Sequence, residues 1–347
     1  MLILLLLALL DPIGEGGRAA PLLEKGQLLF KKGDLVGALG AFDAAAAADP
    51  KDARAPYLRG VVLEKRGDAS GAITAYKAAL ARKADFAEAG NNLGALLLAK
   101  GDAAGAAATL EAATKASPDY AQAHYNLGLA RDALGKRAEA VTAYREAVRC
   151  KPSDGAYRLN LGAALRRAGD VDGAVAALKE ATHLLPSDAL AFADLGMVLS
   201  DQRAYDDAQH ALEKATQLNP NLALAWDRLG RVLLKKADTA GAVAAGEKAR
   251  RLEPKNAVFA ADLCRSLFEQ RQAARAVAEC RAAVALDPQN PLARYELGKA
   301  LVAKGDCAAA TAELDRFAAL PGIKPEAKAQ AQTIARSCVG GGVKPAK

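Results

Sequence analysis

The sequence predicts an all-α solenoid: nine helix-turn-helix units closed by one further helix. Three observations predict it. Pro118, Pro152, Pro186, Pro220, Pro254 and Pro288 recur every 34 residues, and Pro50 stands two intervals earlier. With that proline as place 32, nine units span 19–52, 53–86, 87–120, 121–154, 155–188, 189–222, 223–256, 257–290 and 291–324. Place 8 is glycine in eight of the nine units (Gly26, Gly60, Gly94, Gly128, Gly162, Gly196, Gly230 and Gly298), and place 20 is alanine in all nine, from Ala38 to Ala310. One hairpin cannot bury both of its faces, whereas stacked neighbours can, so a fixed period of this length implies a linear array.

Residues 1–18 precede the first unit. Leu2–Leu10 is an apolar run, far short of the roughly 20 residues that span a bilayer, stopped by Asp11-Pro12. With Gly17-Arg18-Ala19 as a small-x-small site, it reads as a secretory signal peptide without a basic n-region. The alternative is a disordered or core-docked segment. Within each unit the first helix carries an apolar stripe, such as Leu93, Gly94 and Leu97 or Leu161, Gly162 and Leu165. Gly-Asp then ends it, at Gly67-Asp68, Gly101-Asp102, Gly169-Asp170 and Gly305-Asp306. A second stripe follows, as Ala72/Tyr76/Ala79 or Ala140/Tyr144/Ala147, and the proline closes the unit. Glycine and alanine stand where the two backbones come closest. After the ninth unit, 325–338 reads as a capping helix opened by Pro325 and Glu326, with Lys328, Gln332 and Arg336 outward. Residues 339–347 read as a flexible tail.

Composition narrows the function. The 347 residues are 52% hydrophobic but only 5% aromatic, which suits close helix packing better than a large globular core. Charged residues of both signs make up 25%, against disorder and against a membrane channel. The net charge of +7 is spread thinly, so nucleic acid is not an expected partner. There is no Gly-rich phosphate loop, no HExxH and no GxSxG, and the repeats occupy nearly the whole chain. A non-enzyme with no cofactor and no small-molecule substrate is expected. His124, His183 and His210 lie in different units and the cysteine spacings fit no zinc pattern, so no metal is expected either.

These features resemble the tetratricopeptide repeat (TPR) family, best in Ala223-Leu-Ala-Trp226-Asp-Arg-Leu229-Gly230 with Ala242 and Pro254 downstream. The resemblance implies a right-handed superhelix of roughly one turn, with first helices lining a concave groove that holds an extended peptide or a partner helix. It places Asn92, Asn126 and Asn160, each before Leu-Gly, in that groove. They look like the asparagine ladder of some TPR superhelices, which binds a peptide backbone; asparagine is also simply common at that place. Tyr57, Tyr125 and Tyr295 would anchor ligand side chains or pack against the neighbouring unit. Arg166 and Arg167, with Arg228, Arg231 and Lys235, would make the groove basic and suit an acidic or C-terminal carboxylate ligand. Leu23, Gln27, Tyr57 and Val61 occupy early groove places, so the chaperone-tail clamp of some TPR domains is not matched.

Unit eight departs from the repeat twice, both times with cysteine. Cys264 replaces the place-8 glycine and Cys280 takes place 24, which should face it across the hairpin. A bridge there would be worth about 3 kcal/mol. Cys307 opens the second helix of unit nine and Cys338 closes the capping helix, so antiparallel packing would bring them together. The alternative is ordinary buried thiols; Cys150 has no partner. The stretch from Cys280 to Gln332 is similar to the cysteine-bearing end of envelope TPR proteins from myxobacterial gliding-motility machinery, which are typically lipoproteins. No lipid-bearing cysteine follows the apolar run here. The expected function is a periplasmic or cell-envelope adaptor in a motility or secretion assembly, contacting a membrane only through partners. Alternatives are a regulatory or substrate-recruiting subunit for an enzyme on another chain, and a cytoplasmic scaffold.

Overall fold

A computed structural model describes residues 19–340; the signal-peptide reading of 1–18 and the end of the tail lie outside them. Among the described residues every regular element is a helix, arranged in two compact units, one through Gly169 and one from Asp170. The first unit holds α1 (Ala20–Lys31), α2 (Leu35–Ala48), α3 (Arg54–Lys65), α4 (Ala69–Arg82), α5 (Ala87–Ala99), α6 (Ala103–Ala116), α7 (Ala121–Ala133), α8 (Arg137–Cys150) and α9 (Gly155–Ala168). The second holds α10 (Val171–Leu184), α11 (Ala189–Asp201), α12 (Tyr205–Leu218), α13 (Ala223–Lys235), α14 (Thr239–Leu252) and α15 (Ala257–Glu269). It continues through α16 (Ala273–Leu286), α17 (Pro291–Lys304), α18 (Cys307–Ala319) and α19 (Pro325–Gly340). The capping helix thus runs two residues past its expected end. No helix among the described residues is long and apolar enough to cross a membrane.

Local chemistry sets each hairpin. The aspartate at place 16 caps the second helix: Asp34, Asp68 and Asp102 each accept the backbone N–H three residues on at 2.8 Å. With glycine at that third position the cap closes tightly, since a Cβ at Gly105 would lie 2.3 Å from the Asp102 carboxylate, while Asp306 accepts from Ala309 at a longer 3.3 Å. Place 4 supplies a second latch on the proline carbonyl six residues earlier. Trp226 Nε1 donates to Pro220 O at 2.9 Å, Arg158 Nε to Pro152 O at 3.0 Å and Arg294 Nε to Pro288 O at 2.8 Å.

Within each unit successive helices pack side by side, and first helices also touch first helices of the next pair, as α5 on α7 and α13 on α15. Place 24 is the centre of each hairpin: Phe42, Tyr76, Leu110, Tyr144, Leu212 and Leu314 are all buried. Each presses on the place-8 glycine. A Cβ at Gly94 would lie 2.4 Å from Leu110 and one at Gly128 would lie 2.6 Å from Tyr144, which is why that place is glycine. The cap buries Ala331 and Ala335 over Leu314, Phe317 and Leu320.

The turn between the two helices needs a left-handed residue at place 15. Gly33, Gly67, Gly101 and Gly305 supply it at φ 83°, but Arg203 and Ala237 adopt φ 63° and Arg271 φ 61°. An L-residue there costs about 1–2 kcal/mol, and glycine's greater unfolded-state freedom offsets roughly half of that. Ala237→Gly is therefore expected to stabilise the protein by about 0.5–1 kcal/mol, measured as a rise in Tm; an unchanged or lowered Tm would show the turn unstrained.

Candidate functional site

In the first unit the polar residues of the first-helix face form one directed chain of side-chain hydrogen bonds. Tyr157 OH donates to Gln122 Oε1 at 3.0 Å, and Gln122 Nε2 to Asn126 Oδ1 at 3.3 Å. Asn126 Nδ2 donates to Asn91 Oδ1 at 2.8 Å, and Asn91 Nδ2 to Asn92 Oδ1 at 3.2 Å. Asn92 Nδ2 approaches Tyr76 OH at 3.4 Å, and that hydroxyl donates to Glu64 Oε2 at 2.9 Å. Burial, and then the Glu64 charge, holds the Tyr76 phenol above its ordinary range, and burial pushes Tyr157 up to about 12, so both donors keep their protons at neutral pH.

Two of the three asparagines of the expected ladder, Asn92 and Asn126, are thus joined to neighbouring side chains. Asn126 is 7% exposed and its amide nitrogen and oxygen are both engaged. Asn160 turns back to donate to Ala156 O at 2.9 Å. The physical reason is the neighbouring place 5: Asn91 brings a second amide within reach of Asn126, and amides pair with each other before they wait for a ligand. Asn126→Ala is expected to cost about 1–3 kcal/mol by orphaning Asn91 and Gln122, read from chemical denaturation. A loss near zero would mean that water replaces the amide.

The tyrosines are also spent on packing. Tyr57 is buried, its ring 4.9 Å from Phe86 and 5.8 Å from Tyr76. Tyr125 stacks on Tyr157 at 5.0 Å, and Tyr295 lies 5.1 Å from Phe317. The expected basic patch is largely neutralised. Arg228 donates to Asp194 at 2.7 Å with its side chain 12% exposed, and Arg167 pairs with Asp132 at 2.6 Å. Arg166 is half-buried and engaged, while Arg231 and Lys235 are exposed on α13.

The face of the second unit also carries buried acids among these bases. Asp227 is buried, and its carboxyl is pushed up to about 7, first by burial and then by the Asp262 charge, against Arg231 and Arg228. Burial likewise raises Asp262, opposed by Arg231 and Arg265. Glu296, also buried, accepts from Lys299 at 2.9 Å. Because the folded protein keeps the Asp227 proton up to about pH 7 while the unfolded chain loses it near the ordinary aspartate value, stability falls as pH rises through that window. Asp227→Asn is expected to flatten the fall and to gain on the order of 2 kcal/mol at alkaline pH. Parallel pH–stability curves for both proteins would disprove the shift.

The cysteine pairs lie where expected. Cys264 and Cys280 have Cα atoms 5.3 Å apart, Cys307 and Cys338 5.4 Å apart, and each pair of sulfurs is at disulfide distance. Cys150 is free. The Cys264–Cys280 pair replaces the glycine and the large side chain that meet at this spot in most other hairpins, the Gly230/Gly246 hairpin apart. Among the described residues no group of three or more His, Cys, Asp or Glu is placed to hold a metal ion.

Stacked helical hairpins of this kind define an interaction scaffold, a fold built for protein–protein contact. The chain belongs to the tetratricopeptide repeat family: one model of that repeat matches residues 23–89, 91–155, 130–189 and 193–257, and a second matches 267–321. No curated protein matches. Among solved structures, the chain is similar to PilF of Pseudomonas aeruginosa, with TM-score 0.53 and 21% identity over 61% of this chain and 96% of that one. The APC/C hetero-tetramer Cut9-Hcn1 gives TM-score 0.56 and 19% identity over 81% of this chain and 55% of that one. YrrB, described as a TPR protein with an unusual peptide-binding site, gives 0.46 and 23% over 52% and 92%. These likenesses show the fold.

Proposed function

We propose that the protein is a non-catalytic adaptor that holds an extended peptide or a partner helix against its first helices, as a subunit of a bacterial cell-envelope assembly for motility or secretion. The observation that carries the binding face is exposure. Leu190 and Val258, at place 2 of α11 and α15, stand 48% and 47% exposed on helices whose other apolar residues are mostly buried. Large exposed aliphatics repeated at one register position mark a contact surface. Two cysteine pairs at bonding distance support an oxidising compartment, since such pairs persist outside the cytosol.

Two measurements test this. A photo-crosslinking residue at position 190 or 258 should trap a partner in native cells, while one at Lys214, on the second helix α12, should not; equal trapping from both would defeat the first-helix face. Thiol alkylation before and after reduction, with intact mass, should find Cys264, Cys280, Cys307 and Cys338 blocked until reduced. Free thiols throughout would move the protein to the cytosol.

A further inference from the structure

Place 30 ends each second helix and place 2 opens the first helix that follows, so both stand at the turn joining one pair to the next. In the second unit place 2 reads Leu190, Leu224, Val258 and Leu292, whereas in the first it reads Ala20, Arg54, Glu88, Gln122 and Ala156. Place 30 changes in the same way. Leu184, Leu218, Leu252 and Leu286 stand there in the second unit, against Ala48, Arg82, Ala116 and Cys150 in the first; a fifth, Leu320, lies under the cap. None of the other eight aliphatic side chains is buried. Leu190, Val258 and Leu286 are 48%, 47% and 40% exposed, and the remaining five are partly so. Packing uses some of this surface, since Leu224 and Leu252 rest on the cluster of Ala223, Ala249 and Phe259. Stacking does not demand it, because the first unit closes the same turns with arginine, glutamine or alanine.

A second observation is the space beside the row. Between the turns that follow α10 and α12 runs a groove of about 710 Å³, whose walls include Leu184, Leu190 and Leu218. Among its lining residues one is ionisable, Asp188, and that carboxylate is committed to capping α11. It accepts from the Leu190 N–H at 2.8 Å and from the Ala191 N–H at 3.3 Å. The groove therefore offers apolar contact rather than a charge, which suits an aliphatic side chain. The step of the row then selects the backbone that carries such side chains. First helices of successive pairs touch, as α11 on α13, α13 on α15 and α15 on α17, which sets their axes about 8–10 Å apart. Same-face side chains of an extended strand come about every 6.7 Å and miss that step. Helix residues seven apart come about every 10.5 Å on one face and meet it when the helix is slightly tilted.

We propose that the second unit docks an amphipathic helix of a partner protein along its turn edge, seating one aliphatic side chain per heptad between successive turns. The partner's apolar stripe lies on Leu190, Leu224, Val258 and Leu292, and its polar face stays in water. The first unit, with Arg54, Glu88 and Gln122 at the same place, takes no part. This rests on the adaptor reading and decides between its two ligand forms, a helix rather than an extended peptide.

The test pans two display libraries on the purified full-length protein, one on a helical scaffold with a single face randomised and one of random peptides without imposed structure. Helical clones with aliphatic residues seven apart should enrich, and a synthetic peptide from that pool should gain helical circular dichroism on binding. The Leu190→Glu/Val258→Glu double variant should bind that peptide at least about tenfold more weakly. Both changes fall in the first turn of a helix, where an acid is favourable. Glu88 already occupies that place in α5, so the variant should fold, which circular dichroism checks. Lys214→Glu on α12 should leave binding unchanged. Helical clones that bind the double variant as tightly as the parent would overturn the edge, and enrichment confined to the unstructured library would overturn the helix. Either result leaves the adaptor reading standing. Recovery of no helical clone would also overturn the inference, and the adaptor reading would then rest on the crosslinks from positions 190 and 258.

Discussion

Tyr144→Ala should lower the stability of the first unit by about 3–5 kcal/mol, the range for removing a large buried ring. Tyr144 is 0% exposed, and its ring lies against Gly128, whose absent Cβ would come within 2.6 Å of it. Its hydroxyl donates to Asp132 at 3.1 Å, and Arg167 also holds that carboxylate at 2.6 Å. Alanine would leave a cavity between α7 and α8 that glycine on the facing helix cannot fill. Tyr144→Leu is the control. Leu110 and Leu212 fill the same place of other hairpins, and Arg167 keeps Asp132 paired, so this change should cost less than about 1.5 kcal/mol. Urea denaturation followed by circular dichroism measures both. Equal losses for the two variants would show that the hydroxyl, not ring volume, holds the hairpin.

Reduction of the cysteines should be the second large effect. In the chain-entropy account the Cys264–Cys280 loop is worth roughly 3 kcal/mol and the longer Cys307–Cys338 loop roughly 3.5 kcal/mol. Stability in a repeat array is a sum of local and nearest-neighbour terms, so the loss should be local. Hydrogen exchange should quicken in α15 through α19 and leave α1 to α6 unchanged when reductant is added, and Tm should drop for the C-terminal transition. The cap responds most, since it packs chiefly on α17 and α18 and is pinned at its far end by Cys338. An identical melting curve with and without reductant would mean that the sulfurs sit together as thiols.

The fold was legible because its determinants repeat. Proline at place 32, glycine at place 8 and alanine at place 20 each answer a local steric demand, and their recurrence in seven, eight and nine of the nine units leaves one architecture that satisfies them. The cysteine pairs were legible for the same reason, since Cys264 and Cys280 stand out against a known pair of facing places. The candidate site was harder to read. Asn92, Asn126 and Asn160 share a place but not an environment: two join a relay through Asn91 and Gln122, and the third bonds its own helix. A signal for the relay was present in the polar residues at place 5 and place 2, which mean little until the neighbouring pair is laid against them.

The sequence by itself determined the helix pairs, their register and the places where backbones meet, because these depend on contacts within one hairpin and its identical neighbours. Only the tertiary structure decided which polar groups of the first-helix face are spent. Arg228 is cancelled by Asp194, Tyr57 is buried under Phe86, and Asp227 is buried within reach of the Asp262 charge. Each of those outcomes is a difference between two side chains about one repeat apart, where a single methylene or proton changes which pair forms. Hydrogen bonding and charge act over a few ångströms and in chosen directions, and a one-dimensional pattern carries neither distance nor direction.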